Sequence, residues 1–159
     1  PGPSGFDLVE SLESEDADLA IVFLTNLPDP RFAGRDGLAV RKNIGYLRKS
    51  QLIDSGELVS TLEAVLKERA SSEHRHDLAA GRPLGNLSRK QIGVLKMVSE
   101  GMTNSQIAEY RGTTIRAVEG IISRIFDGLG INPTAEGNAR VEASRRYLQA
   151  TAQDQFSIQ

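Results

Sequence analysis

The sequence predicts two successive folds: an α/β segment carrying two strands of a doubly wound parallel sheet, then an all-α domain of four helices. Three observations predict this. Leu19 to Thr25 (LeuAlaIleValPheLeuThr) is a short apolar run bounded by acidic residues and by Asn26-Leu27-Pro28-Asp29-Pro30, the pattern of a strand buried on both faces. After residue 86 such runs cease and helix-cap patterns recur. Between the two regions, Arg69 to Asn86 is rich in small, polar and turn-forming residues without apolar periodicity, and reads as a linker.

In chain order, Phe6, Leu8, Val9 and Leu12 fall at helical spacing ahead of the first strand. Ile44 to Leu47 is the second strand, and Leu58, Val59, Leu62, Val65 and Leu66 mark a helix after it. Two strands cannot cover their own edges and faces, so the α/β part is incomplete and is expected to dimerise or to stay partly unfolded. Past the linker, Ser88-Arg-Lys-Gln91 and Thr103-Asn-Ser-Gln106 each fit a capping box, in which the hydroxyl accepts from the third amide and the Gln reaches back. The four helices are expected at about Ser88 to Glu100, Asn104 to Tyr110, Thr114 to Gly128 or Gly130, and Ala135 to Thr151. The domain bounds are 1–68 for the α/β part, 69–86 for the linker, 87–151 for the helical domain and 152–159 for a tail.

Composition narrows the chemistry. With 39% hydrophobic residues the chain can bury a core; with no cysteine it has no disulfide scaffold, thiolate zinc site or cysteine nucleophile. His74 and His76, its two histidines, lie in the linker with no surrounding carboxylate–histidine cluster, so no metal site is expected there and a solvated linker is. Leu19 to Leu24 is far short of the ~20 apolar residues that span a bilayer, and the opening ProGlyProSerGly has no signal-peptide character, so a soluble cytoplasmic protein away from membranes is expected. No nucleophile–base pair or phosphate-binding glycine loop stands out, which argues against an enzyme. The net charge of -2 conceals an asymmetry: residues 1–81 hold nine Lys+Arg against fourteen Asp+Glu, residues 82–147 ten against six. An acidic part precedes a basic one, a distribution suited to a nucleic-acid-binding module joined to a second module.

In the basic part, Gly112 follows Ala108 by four residues and precedes Val118 by six, which is helix-turn-helix spacing. Ala108 is small where two helices cross, Gly112 allows a positive φ in the turn, and Val118 locks the third helix onto the second. The amino-terminal half of such a third helix faces bases, which selects Arg116, Glu119, Gly120 and Ser123; Glu119 can accept from cytosine N4, and Gly120 permits close approach. Thr103, Asn104, Thr113, Thr114 and Arg124 are candidates for phosphate contacts.

The stretch Leu87-Ser-Arg-Lys-Gln-Ile-Gly-Val-Leu-Lys-Met-Val-Ser-Glu-Gly-Met-Thr-Asn-Ser-Gln-Ile-Ala-Glu-Tyr110, with Thr113 to Ile131 after it, resembles the LuxR-type helix-turn-helix of NarL/FixJ response regulators. The resemblance covers about Leu87 to Tyr147 and implies a DNA-binding transcriptional regulator of a two-component system, a homodimer through the fourth helix, and promoter DNA as partner. It departs from the family where many members carry Lys in place of Glu119 and a polar side chain near Ile121. The first part resembles the second half of a flavodoxin-like receiver domain. There Thr25 matches the switch hydroxyl ending the fourth strand, Lys49 the phosphate-binding Lys after the fifth, and Tyr46 the aromatic switch. By that register the phosphoacceptor Asp and the acidic pair that binds Mg²⁺ are expected upstream of Pro1, so no cofactor is expected in this chain, and a sensor kinase would act on the intact protein. The segment from Pro28 to Asn43 lacks a fourth-helix pattern, which implies an altered switching face. Alternatives are a sigma-factor-like helix-turn-helix protein, or an interaction or dimerisation fragment acting through the partial receiver.

Overall fold

The computed structural model describes residues 3–16, 18–39, 41–134 and 138–152. The chain divides into two compact units that are interleaved in sequence: Pro1–Asn26 with Ala39–Ala79, and Leu27–Leu38 with Ala80–Gln159.

The first unit is built on two strands, β1 (Ile21–Thr25) and β2 (Ile44–Arg48), paired in parallel from Ile21 opposite Ile44 to Thr25 opposite Arg48. Helix α1 (Gly5–Glu15) precedes β1 and starts at a capping box between Ser4 and Asp7; α2 (Ser55–Leu66) follows β2, its first amides taken by the Asp54 carboxylate. Phe6 of α1 stacks on Phe23 of β1 at 4.7 Å between centroids, and Phe23 in turn lies 5.9 Å from Tyr46 of β2. On the opposite face α2 sits directly over Gly45, where an added Cβ would be 2.9 Å from Thr61 Cγ2; the glycine is what lets helix and strand approach. Both strands and both helices therefore appear where the apolar patterning placed them.

The stretch expected to be a solvated linker is not uniform. Residues Ser72–His74 and His76–Leu78 form two 3₁₀ turns, and Arg75 forms a parallel bridge with Tyr46. Arg75 and Asp77 are buried as a bidentate pair at 2.8 Å, and Arg75 also donates to the Ala39 carbonyl. His76 accepts from the Arg48 amide through Nδ1 and meets Glu57 through Nε2, both at 3.0 Å, so this imidazole is a structural partner of β2 and α2. Within this stretch the division between the compact units falls after Ala79. Single 3₁₀ turns carry too little periodicity to register in a sequence pattern, and their partners lie about thirty residues away.

The second unit holds four helices, α3 (Arg89–Ser99), α4 (Asn104–Arg111), α5 (Ile115–Leu129) and α6 (Ala139–Ala152). Both predicted capping boxes form: Ser88 Oγ accepts from the Gln91 amide while Gln91 accepts from the Ser88 amide, and Thr103 and Gln106 repeat the exchange. Ala135 to Gly137, the start expected for the fourth helix, and the tail from residue 153 lie outside the described residues; the helix is seen from Ala139, with the Asn138 carboxamide accepting from the amides of Arg140 and Val141. Ile92, Leu95, Ile107, Val118, Ile125 and Ala143 form the fully enclosed centre of the unit.

A short piece of the α/β half of the sequence belongs to this core. Asp29 caps a 3₁₀ turn at Pro30–Ala33 that places Phe32 against Tyr147, 6.0 Å between ring centroids. Arg31, 5% exposed, is gripped by both oxygens of Asp29 and donates to the carbonyls of Pro83, Leu84 and Leu87. One guanidinium thus satisfies three carbonyls of the segment entering α3. The missing fourth-helix pattern between the strands is explained by this: the segment supplies one turn and one aromatic to the helical unit.

Candidate nucleic-acid interface

The turn between α4 and α5 is set by Gly112, which closes α4 in the left-handed region at φ +62°, and by Thr114, whose hydroxyl accepts from the Ala117 amide at the start of α5. Ala108 and Val118 are buried where α4 meets α5, as the spacing requires. Val118, Ile122 and Ile125 bury one face of α5. Arg116, Glu119 and Ser123 are exposed at i, i+3 and i+7 on the other, with Gly120 among them. From Arg116 to Ser123 the helix rises about 10 Å, roughly three base steps.

The side chains of Arg116, Glu119, Ser123 and Arg124 make no hydrogen bond or ion pair with the described residues, so the exposed face carries two unneutralised guanidiniums, one carboxylate and one hydroxyl. At Gly120 an added Cβ would meet nothing within 4 Å among the described residues, so their packing does not account for this glycine. Thr103, Asn104, Thr113 and Thr114 gather at the amino ends of α4 and α5. Thr103 and Thr114 spend their acceptor function on caps and keep a hydroxyl proton to donate. Asn104 is half-buried, its Oδ1 taken by Arg140 at 2.9 Å. Arg140 has no sequence signal of its own; it stands 36 residues away on α6.

Of the receiver-like residues, Thr25 and Lys49 lie at the carboxyl ends of the two strands and Tyr46 in the middle of β2. Thr25 closes β1 opposite Arg48, and exposed Lys49 follows directly on β2. Tyr46 is wholly buried beside Phe23. Among the described residues no group of three or more His, Asp or Glu side chains is arranged to hold a metal, and no helix is long and apolar enough to cross a membrane.

No protein-family model and no solved structure matches the chain. Curated proteins do. The chain is 27% identical over 137 residues to the DNA-binding transcriptional activator DevR/DosR of Mycobacterium tuberculosis, covering 82% of this chain and 63% of that protein. The match to a DNA-binding transcriptional activator is consistent with the resemblance read from the sequence. The transcriptional regulatory protein TdiR of Thauera aromatica matches at 26% identity over 139 residues, 84% of this chain and 58% of the relative. The Fimbriae Z protein of Salmonella typhimurium matches at 26% over 147 residues, 86% and 67%. The matches run through both units, as the double resemblance read from the sequence implied, and the chain spans about three fifths to two thirds of these relatives' length.

Proposed function

We propose that this chain is a sequence-specific DNA-binding transcriptional regulator that lays α5 in the major groove. The observation that carries the reading is the amino-terminal face of α5, where Arg116, Glu119 and Ser123 stand exposed and unpaired on a helix whose other face is sealed into the core. An Arg in that position pairs with guanine O6 and N7, a carboxylate accepts from cytosine N4, and the hydroxyl adapts to either. Arg124 and the amino ends of α4 and α5, with Thr103, Asn104, Thr113 and Thr114, supply phosphate contacts that add affinity without choosing sequence. Binding as a homodimer, and control of the intact protein by a sensor kinase, belong to the same proposal.

The test is binding of the whole chain to genomic fragments across a salt series, with Arg116→Ala and Glu119→Ala beside the parent. Selective binding is expected, with a loss of about 1–3 kcal/mol for Arg116→Ala at its base pair and relaxed preference for Glu119→Ala. A second reading, an interaction fragment, is favoured by the apolar side chains the first unit leaves in water: Leu8, Val59 and Leu66 are each more than half exposed. Weak, sequence-blind binding indifferent to both substitutions would favour that reading instead.

A further inference from the structure

We infer that Arg140 is a positioning residue for DNA binding: from α6 it sets which end of the Asn104 carboxamide faces the phosphate backbone. This rests on the reading above. A carboxamide offers an acceptor oxygen on one side and a donor NH₂ on the other, and its neighbours decide which points where. Arg140 has only donors, and its Nη1 lies 2.9 Å from Asn104 Oδ1. The oxygen is thereby held toward α6 and the NH₂ is turned away from it. A phosphate accepts and never donates, so the oriented side chain presents the end that a phosphate can use, and a flipped one would present an oxygen that repels it.

The second arm of Arg140 strengthens the case. Its Nη2 donates to the Met102 carbonyl, in the turn between Gly101 and the Thr103 cap. One planar guanidinium therefore spans the residue before the α4 cap and the first residue of α4, which fixes the approach of that helix end as well as the orientation of Asn104. Arg140 is itself placed by Asn138, whose Oδ1 accepts from the Arg140 amide at 3.1 Å. Its head lines an open cleft beside Asn104, Phe126 and Pro133, and it makes no ion pair with the described residues.

The experiment measures affinity of the full chain for a selected duplex and a scrambled one, with thermal unfolding in parallel, for the parent, Arg140→Ala, Asn104→Ala, the double variant, Arg140→Gln and Asn104→Asp. Arg140→Ala and Asn104→Ala are each expected to weaken both duplexes by about five-fold, the worth of one hydrogen bond, and the double variant by no more than the larger single loss. Arg140→Gln keeps a donor and is expected to recover part of the loss. Asn104→Asp keeps the Arg140 bond while turning an acceptor outward, so unfolding temperature is held or raised while affinity falls on both duplexes. Additive losses in the double variant, or an Arg140→Ala that lowers unfolding temperature and leaves affinity untouched, would overturn the inference while the DNA-binding reading stands. A parent chain that shows no preference for any duplex overturns both.

Discussion

The two units are held together by different means. In the helical unit every helix presents one apolar face to a shared centre, and Ile92, Ile107, Val118 and Ile125 are enclosed on all sides. The strand unit has a real but divided core, Phe6, Phe23 and Tyr46 on one face of the sheet and Val65 on the other, and leaves Leu8, Val59 and Leu66 in water. The four helices close around one centre with the help of the Leu27–Leu38 segment, whereas two paired strands have two edges and two faces to cover, and two helices and the Ser72–Leu78 turns to do it. Both units leave apolar side chains in water, Tyr110, Val141 and Leu148 in the helical one; the comparison teaches that the difference lies in how the buried residues gather, into one shared centre among helices or onto two separate faces of a sheet.

The largest effect that tests this contrast is expected at Arg31. Removing its side chain by Arg31→Ala leaves the buried Asp29 carboxylate unpaired and three carbonyls without their donor, a loss of about 3–5 kcal/mol. Chemical denaturation followed by helical circular dichroism checks it; a loss under about 1 kcal/mol would mean that the segment from Leu27 to Leu38 is not part of the helical core. Next in size is a matched pair. Ile107→Ala, at a fully enclosed position of α4, is expected to cost about 2–5 kcal/mol, and Leu66→Ala, 71% exposed on α2, within about 0.5 kcal/mol of zero. Equal losses at the two sites would erase the distinction between the units.

Gly120→Ala sharpens the comparison further, because its two readouts should move oppositely. Alanine has room at that position and is the better helix former, so stability rises by about 1 kcal/mol, while affinity for specific DNA falls through the lost close approach. A variant that gains stability and binds as before would show that the glycine serves no approach to DNA.

The smallest effect concerns pH. On α6, the hydrogen bond from Arg146, joined by the charge of Arg145, holds the Glu142 carboxyl below its ordinary value despite an opposing desolvation. A carboxyl depressed in the folded state contributes stability above its unfolded value near 4.5 and loses it as pH falls through the folded one. Glu142→Gln should therefore lower stability slightly at neutral pH, with the difference from the parent shrinking as pH falls below 4.5, so that the acid side of the profile flattens; a difference as large well below pH 4.5 as at pH 7 would contradict the assignment.

What was legible in the sequence was what is local. The Ser88 and Thr103 boxes, the Gly112 turn and the apolar runs of β1 and β2 are each written within a few residues, and all of them form. The exposed face of α5 was legible for the same reason, since burial of Val118, Ile122 and Ile125 decides where Arg116, Glu119 and Ser123 point. The ties that span long loops were not legible: Arg31 to Leu84, Arg75 to Ala39, His76 to Arg48, Arg140 to Asn104. One of them left a trace. Asp29-Pro30 is a cap followed by proline in the first turn, a helix-start signature that a loop reading passes over.

The Arg31 clasp also orders events in time. Its acceptors Pro83, Leu84 and Leu87 lie 52 to 56 residues further along the chain. At the pace of ribosomal synthesis that is a wait of roughly 3–10 s, during which Phe32 and the Asp29–Arg31 pair have left the ribosome and their binding place has not yet been made. The helical unit thus cannot finish folding as a late, self-contained block; it must take back a turn released earlier, after β1 and β2 have had time to pair around it.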